Sequence, residues 1–160
     1  MSPLRPLDQS AKLQNVLYEI RGNALVEASR LEAAGHAVLK LNTGNPAIFG
    51  FEAPYQIVRD MIAAVPTAHG YSDSRGILSA RRAIINRYEQ VPGFPHIDPD
   101  DVYLGNGVSE LITMTMQSLL NEGDEVLIPA PDYPLWTAMT TLSGGTPVHH
   151  PCDENNGWNP

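Results

Sequence analysis

Residues 102–112 constrain this chain more than any other stretch. Val102-Tyr103-Leu104 is a short β-branched and apolar run, and it enters the tight turn Gly105-Asn106-Gly107. Beyond the turn, Leu111, Ile112, Thr115, Met116, Leu119 and Leu120 recur at helical spacing. The pattern predicts a strand, a glycine turn and a helix in immediate succession. A helix that starts straight from such a turn leaves backbone N–H groups without intrahelical partners, all pointing one way. With the positive end of the helix dipole, they make a place for an anion, most often a phosphate. The plan then repeats. Glu125-Val126-Leu127-Ile128-Pro129 reads as a second buried strand, Asp132-Tyr133-Pro134 as a second strand-to-helix turn, and Thr146-Pro147-Val148-His149-His150 as a third strand. Strands alternating with helices predict the α/β class, a mostly parallel sheet built from βαβ crossovers with helices on both faces. Two such turns at the carboxyl ends of parallel strands build one pocket, an anion cradle beside a tyrosine face.

The region before residue 97 reads differently. Leu13, Val16, Leu17, Ile20, Leu25, Ala28 and Leu31 carry helical periodicity over residues 10–34, broken at Gly22 and ended by Gly35. Val38-Leu39-Lys40-Leu41 predicts a short strand, followed by the turn cluster Asn42-Thr43-Gly44-Asn45-Pro46. A helix is expected over residues 54–65, stopped by Pro66, and a stronger amphipathic one over 76–90, opened by Gly70-Tyr71-Ser72-Asp73-Ser74-Arg75-Gly76. The expected organisation is a helical, loop-rich segment over residues 1–97 and the first part of an α/β domain over 98–160. Three strands make a thin parallel sheet, so the chain reads as the front part of a larger protein.

Charge and composition narrow the partners. The 160 residues carry a net charge of −8, against what nucleic-acid binding requires. No apolar run approaches the roughly 20 residues that span a bilayer, and the N-terminus has no apolar export signal. A lone cysteine, Cys152, cannot form an internal disulfide, which fits a reducing, cytoplasmic setting. His149, His150, Cys152, Asp153 and Glu154 invite a metal reading, but adjacent strand residues point to opposite faces, leaving only His150 and Cys152 to cooperate. No metal is expected. Asp98, Asp100 and Asp101 read as a turn and helix-cap cluster, and Glu110 as a first-turn acid that suits the helix dipole and orders the glycine turn.

Four motifs occur in order: Leu41-Asn42-Thr43-Gly44-Asn45-Pro46, Gly70-Tyr71-Ser72-Asp73-Ser74-Arg75-Gly76, Gly105-Asn106-Gly107-Val108-Ser109-Glu110 and Pro129-Ala130-Pro131-Asp132-Tyr133-Pro134. Together they resemble the first part of a class I/II, fold-type I pyridoxal-phosphate aminotransferase. Tyr18-Glu19-Ile20-Arg21-Gly22 and Phe49-Gly50-Phe51-Glu52-Ala53-Pro54 add a likeness to the bacterial alanine aminotransferase group. The resemblance covers nearly the whole chain, and it implies the N-terminal segment and first strands of that family's large domain.

What the resemblance implies is carried residue by residue. Val108 and Ser109 match positions whose backbone N–H groups hold the phosphate of pyridoxal 5'-phosphate. Tyr133 matches the aromatic residue stacked on its pyridine ring, and Tyr71 a tyrosine that reaches the neighbouring subunit's cofactor phosphate in a homodimer. Gly44 matches a backbone N–H that meets the substrate carboxylate, and Tyr18 a residue of the segment that closes over the substrate. The family's Schiff-base lysine, the acid facing the pyridinium nitrogen and the arginine for the α-carboxylate are expected downstream of Pro160. Neither Lys12 nor Lys40 matches the lysine's place, so no catalytic residue is expected here and the chain alone should be inactive. The implied reaction is transamination between alanine and 2-oxoglutarate, small-molecule chemistry without nucleic acid or membrane. A C–S lyase, a transaminase with another amino donor, and a non-catalytic aminotransferase-like regulatory domain share these motifs and stay open.

Overall fold

The computed structural model describes residues 8–16, 18, 22–41 and 44–159. Leu17 and Ile20 of the expected first helix, Glu19 and Arg21 of the Tyr18 motif, and Asn42-Thr43 of the turn cluster lie outside them. The regular elements are α1 (Gly22–Ala33), α2 (Tyr55–Ala64), α3 (Leu78–Tyr88), α4 (Val108–Leu119), β1 (Glu125–Ala130), α5 (Leu135–Leu142) and β2 (Thr146–Pro151). The chain divides into two compact units, Met1–Ile20 with Leu104–Pro160, and Arg21–Tyr103.

The first unit holds the sheet. β1 and β2 run parallel in a register pairing Glu125 with Thr146 and Ala130 with Pro151, and α5 makes the crossover. Ile112 and Met116 of α4 meet Leu135 and Met139 of α5 in the buried cluster, with Leu120, Val126 and Leu142 packed against it. Ile128, 1% exposed, anchors β1. Thr140 is fully buried because its hydroxyl donates to the Trp136 carbonyl at 2.8 Å, which answers its one donor inside the helix. Gly145 admits no side chain cheaply: an added Cβ would lie 3.0 Å from Leu120 Cδ1 and 3.3 Å from the Asp124 carbonyl oxygen. The N-terminal 3₁₀ turn Ala11–Asn15 lies against α5.

Several expectations change here. Residues 102–104 and 38–41 are not strands. A strand is defined by its ladder, and among the described residues the sheet has two strands, β1 and β2. β1 is buried on one face only: Val126 and Ile128 turn inward, whereas Leu127 is 73% exposed. The first apolar-periodic segment opens as the 3₁₀ turn Ala11–Asn15 instead of an α-helix.

The second unit follows the expected helices closely. Gly35, at φ +86°, ends α1 with its N–H on the Glu32 carbonyl and the His36 N–H on that of Leu31. Pro66 stops α2, because a proline has no N–H for the helix ladder, and the chain continues as the 3₁₀ turn Val65–Thr67. Asp98 and Asp101 form a capping box around the turn Pro99–Asp101, confirming the acidic cluster as a cap. Among the described residues of this unit, only Arg81 and Ile85 are buried. No described helix is long and apolar enough to cross a membrane.

Candidate functional site

The glycine turn is built for an uncapped helix start. Gly107 occupies the N-cap of α4 at φ +83°, a left-handed conformation that favours glycine, and no side chain caps the helix. The Val108 and Ser109 N–H groups fall in the first turn, where no intrahelical carbonyl reaches them. The space over Gly107 is open, since an added Cβ would meet no atom within 4 Å. Gly105 is the opposite case, where an added Cβ would lie 2.7 Å from Leu111 Cδ2. The Glu110 carboxylate folds back and accepts the Asn106 N–H, so the acid orders the turn as its position in the first helical turn implied. Free N–H donors, a helix dipole over twelve residues and open space above them fit a phosphate-sized anion.

Tyr133 stands on the turn between β1 and α5, half exposed. Its hydroxyl lies 2.9 Å from that of Tyr18, and the two rings meet edge to face with centroids 6.3 Å apart. The hydrogen bond between the two hydroxyls is the main cause holding the Tyr18 phenol above its ordinary pKa. Two residues 115 positions apart are thus brought together, the N-terminal segment against the second turn. Val108 and Ser109 share that unit with them.

Gly44 and Tyr71 belong to the other unit. Gly44 is exposed, and an added Cβ there would meet no neighbour within 4 Å. Tyr71 is fully exposed on the loop before α3.

Both carboxylate oxygens of Asp132 are buried without a hydrogen-bond partner among the described residues. Burial pushes the Asp132 carboxyl above the usual range, partly offset by the charge of His149. His149 Nε2 lies 2.8 Å from Thr137 Oγ1, while His150 Nδ1 is buried without a described partner. No three of His, Cys, Asp and Glu gather as a metal site among the described residues. In the second unit, Arg81 joins Asp73 and Asp100 in a network that the sequence signalled only as an Arg81-Arg82 pair.

Comparison with known proteins gives these features a context. Residues 36–160 match the family model described as aminotransferase class I and II. The chain is 71% identical over 156 residues to the alanine aminotransferase of Mycobacterium tuberculosis, covering 98% of this chain and 36% of that protein. It is 57% identical over 157 residues to the glutamate-pyruvate aminotransferase AlaA of Escherichia coli K12, covering 98% of this chain and 38% of that protein. Among solved structures, it resembles an aminotransferase from Escherichia coli with TM-score 0.87 and 56% identity, over 98% of this chain and 38% of that one. The alanine aminotransferase from Pyrococcus furiosus superposes with TM-score 0.86 and 34% identity, over 94% of this chain and 38% of that one. The chain therefore spans little more than a third of the length of the relatives it matches.

Proposed function

The chain belongs to the class I and II aminotransferases, and from that premise we propose that the complete protein transfers an amino group between alanine and 2-oxoglutarate. The products are pyruvate and glutamate, and the cofactor is pyridoxal 5'-phosphate. The observation that carries this reading is the 71% identity, over 98% of the chain, to a relative named alanine aminotransferase.

The residues take defined tasks in this proposal. The backbone N–H groups of Val108 and Ser109 hold the cofactor phosphate, and the open N-cap at Gly107 lets it approach. Tyr133 covers one face of the pyridine ring, a contact worth about 0.5–1.5 kcal/mol beyond burial. Tyr18, tied to Tyr133 through its hydroxyl, brings the N-terminal segment over the substrate and excludes water from it. The Gly44 N–H meets the substrate carboxylate, where the absence of a side chain permits close approach. Tyr71 reaches the partner subunit's cofactor phosphate, which makes the working unit a homodimer. When bound, the cofactor supplies an electron sink for the pair left at the substrate α-carbon.

Moving the proton at that carbon needs a basic group, and neither lysine of this segment is assigned that task. Lys40 is paired with Glu32 at 2.9 Å on an exposed surface, and Lys12 sits in the 3₁₀ turn Ala11–Asn15. We assign the lysine, the acid facing the pyridinium and the arginine for the α-carboxylate to the length of the relatives outside this segment. The complete protein is read as cytoplasmic, without nucleic-acid or membrane partners; within this segment, the net charge of −8 agrees with the absence of a nucleic-acid role.

The test is a coupled assay of the complete protein with pyridoxal 5'-phosphate, L-alanine and 2-oxoglutarate. Pyruvate formation that requires both substrates is the expected result. Pyruvate released from an S-substituted cysteine without any 2-oxo acid, or none from alanine, would overturn the proposal in favour of a lyase or another donor.

A further inference from the structure

Arg81 is the charged member of the two buried residues described in the second unit, at 3% exposure. A guanidinium leaves water only when its donors are answered, and this one is answered by four groups. Nε donates to the Gly76 carbonyl at 3.0 Å, and Nη1 to the Pro99 carbonyl at 2.6 Å. Nη1 also meets Asp100 Oδ1 at 3.3 Å, and Nη2 meets Asp73 Oδ2 at 3.4 Å. The two acids are joined a second time on the solvent side. Arg75 donates its backbone N–H to Asp73 Oδ1 at 2.9 Å, and its Nη1 lies 3.0 Å from Asp100 Oδ1. The Gly76 N–H returns to the Asp73 carbonyl at 2.9 Å.

Arg81 and Arg75 thus tie residues 73–76 to the Pro99–Asp101 turn. The stretch 73–76 begins two positions after Tyr71, whose ring is fully exposed and follows Gly70. An exposed tyrosine on an unanchored glycine loop would lose much of its binding free energy to ordering the loop. A planar five-donor fork, held at the start of α3, removes that freedom before any ligand arrives.

We propose that Arg81 is a positioning residue for Tyr71. By fixing residues 73–76 against α3 and the Pro99–Asp101 turn, it presets the base from which Tyr71 reaches a cofactor phosphate in the partner subunit. This rests on the reading of Tyr71 given under Proposed function. Lysine cannot replace the fork, because a single ammonium cannot serve the Gly76 and Pro99 carbonyls and two carboxylates in one plane.

A double-mutant cycle on the complete protein tests it, with pyridoxal 5'-phosphate dissociation constants for the wild type, Tyr71→Phe, Arg81→Lys and the double variant. Tyr71→Phe is expected to weaken binding by about tenfold or more, the loss of one hydrogen bond to a charged group. Arg81→Lys is expected to weaken it by roughly 2- to 12-fold, and to add nothing in the Tyr71→Phe background. Asp73→Asn, on the solvent side of the network, runs through the same cycle and keeps the test alive if Arg81→Lys fails to fold. If Tyr71→Phe leaves affinity unchanged, the phosphate reading of Tyr71 falls and the inference with it. If Tyr71→Phe weakens binding while the network variants have no effect or add independently, the positioning role alone is overturned.

Discussion

Gly105 and Gly107 lie two residues apart and are glycines for different reasons. At Gly105 the constraint is packing, with Leu111 Cδ2 2.7 Å, Leu111 Cγ 3.0 Å and Glu110 Oε2 3.1 Å from an added Cβ. Gly105→Ala should therefore cost about 1–3 kcal/mol of stability, read as a lowered midpoint in thermal unfolding. A variant as stable as the wild type would mean that the Leu111 side chain moves aside freely. At Gly107 the constraint is the backbone, at φ +83° under open space. Tyr133 separates ring from hydroxyl. Tyr133→Phe keeps the stacking face and loses only the bond to Tyr18, whereas Tyr133→Ala loses the face as well. On the proposed role, Tyr133→Ala should weaken pyridoxal 5'-phosphate binding by roughly 2- to 12-fold more than Tyr133→Phe. Equal losses, measured by equilibrium titration, would mean that the ring does not touch the cofactor.

At the scale of the element, the loop 73–76 carries its own pH signature. The Arg75 backbone N–H is the main cause holding Asp73 below the usual carboxylate range, followed by the Arg75 side chain; the charge of Arg81 lowers it further. A depressed carboxyl stabilises the fold when ionised. Its contribution is complete above the unfolded value of about 3.9 and is lost as pH falls through the lower folded value. Asp73→Asn should thus lower the unfolding midpoint at neutral pH, and the gap to wild type should close in acid. A gap independent of pH would show that the charge is not what matters. The elements also mark the limit of reading from sequence. α4 was legible because a glycine turn and a run of apolar residues at helical spacing are both local signals. Residues 38–41 and 102–104 have strand composition without strand structure, since a strand depends on a neighbour that composition cannot supply. The Arg81 network was invisible because its side-chain partners lie eight and 19 positions away, and an arginine pair reads as surface.

At the scale of the whole molecule, the distribution of burial separates the two units. α4, α5 and β1 share a cluster of buried apolar side chains. In α2, by contrast, Tyr55 is 75% exposed, Met61 66% and Ile62 67%, and no residue of α1 or α2 is buried. So much uncovered apolar surface predicts that the 160-residue chain, produced alone, binds a hydrophobic dye such as ANS strongly and associates with itself. The complete protein should bind the dye weakly, and equal weak binding by both would contradict the reading that these faces lack their cover. The α/β class and the order of the helices were readable from alternation of periodic segments. The pairing of Tyr18 with Tyr133 was not, because nothing local links residues 115 positions apart.

The central claim is that the α4 N-terminus, entered through Gly107, holds a phosphate. It is tested most directly by titrating the complete protein, wild type and Gly107→Val, with pyridoxal 5'-phosphate and with pyridoxal, which lacks the phosphate. The wild type should prefer the phosphorylated form by a factor on the order of a hundred or more, the worth of two charge-assisted N–H bonds. Gly107→Val puts a branched side chain over the open N-cap and should collapse that preference while leaving pyridoxal binding nearly unchanged. A preference that survives intact in Gly107→Val would contradict the account.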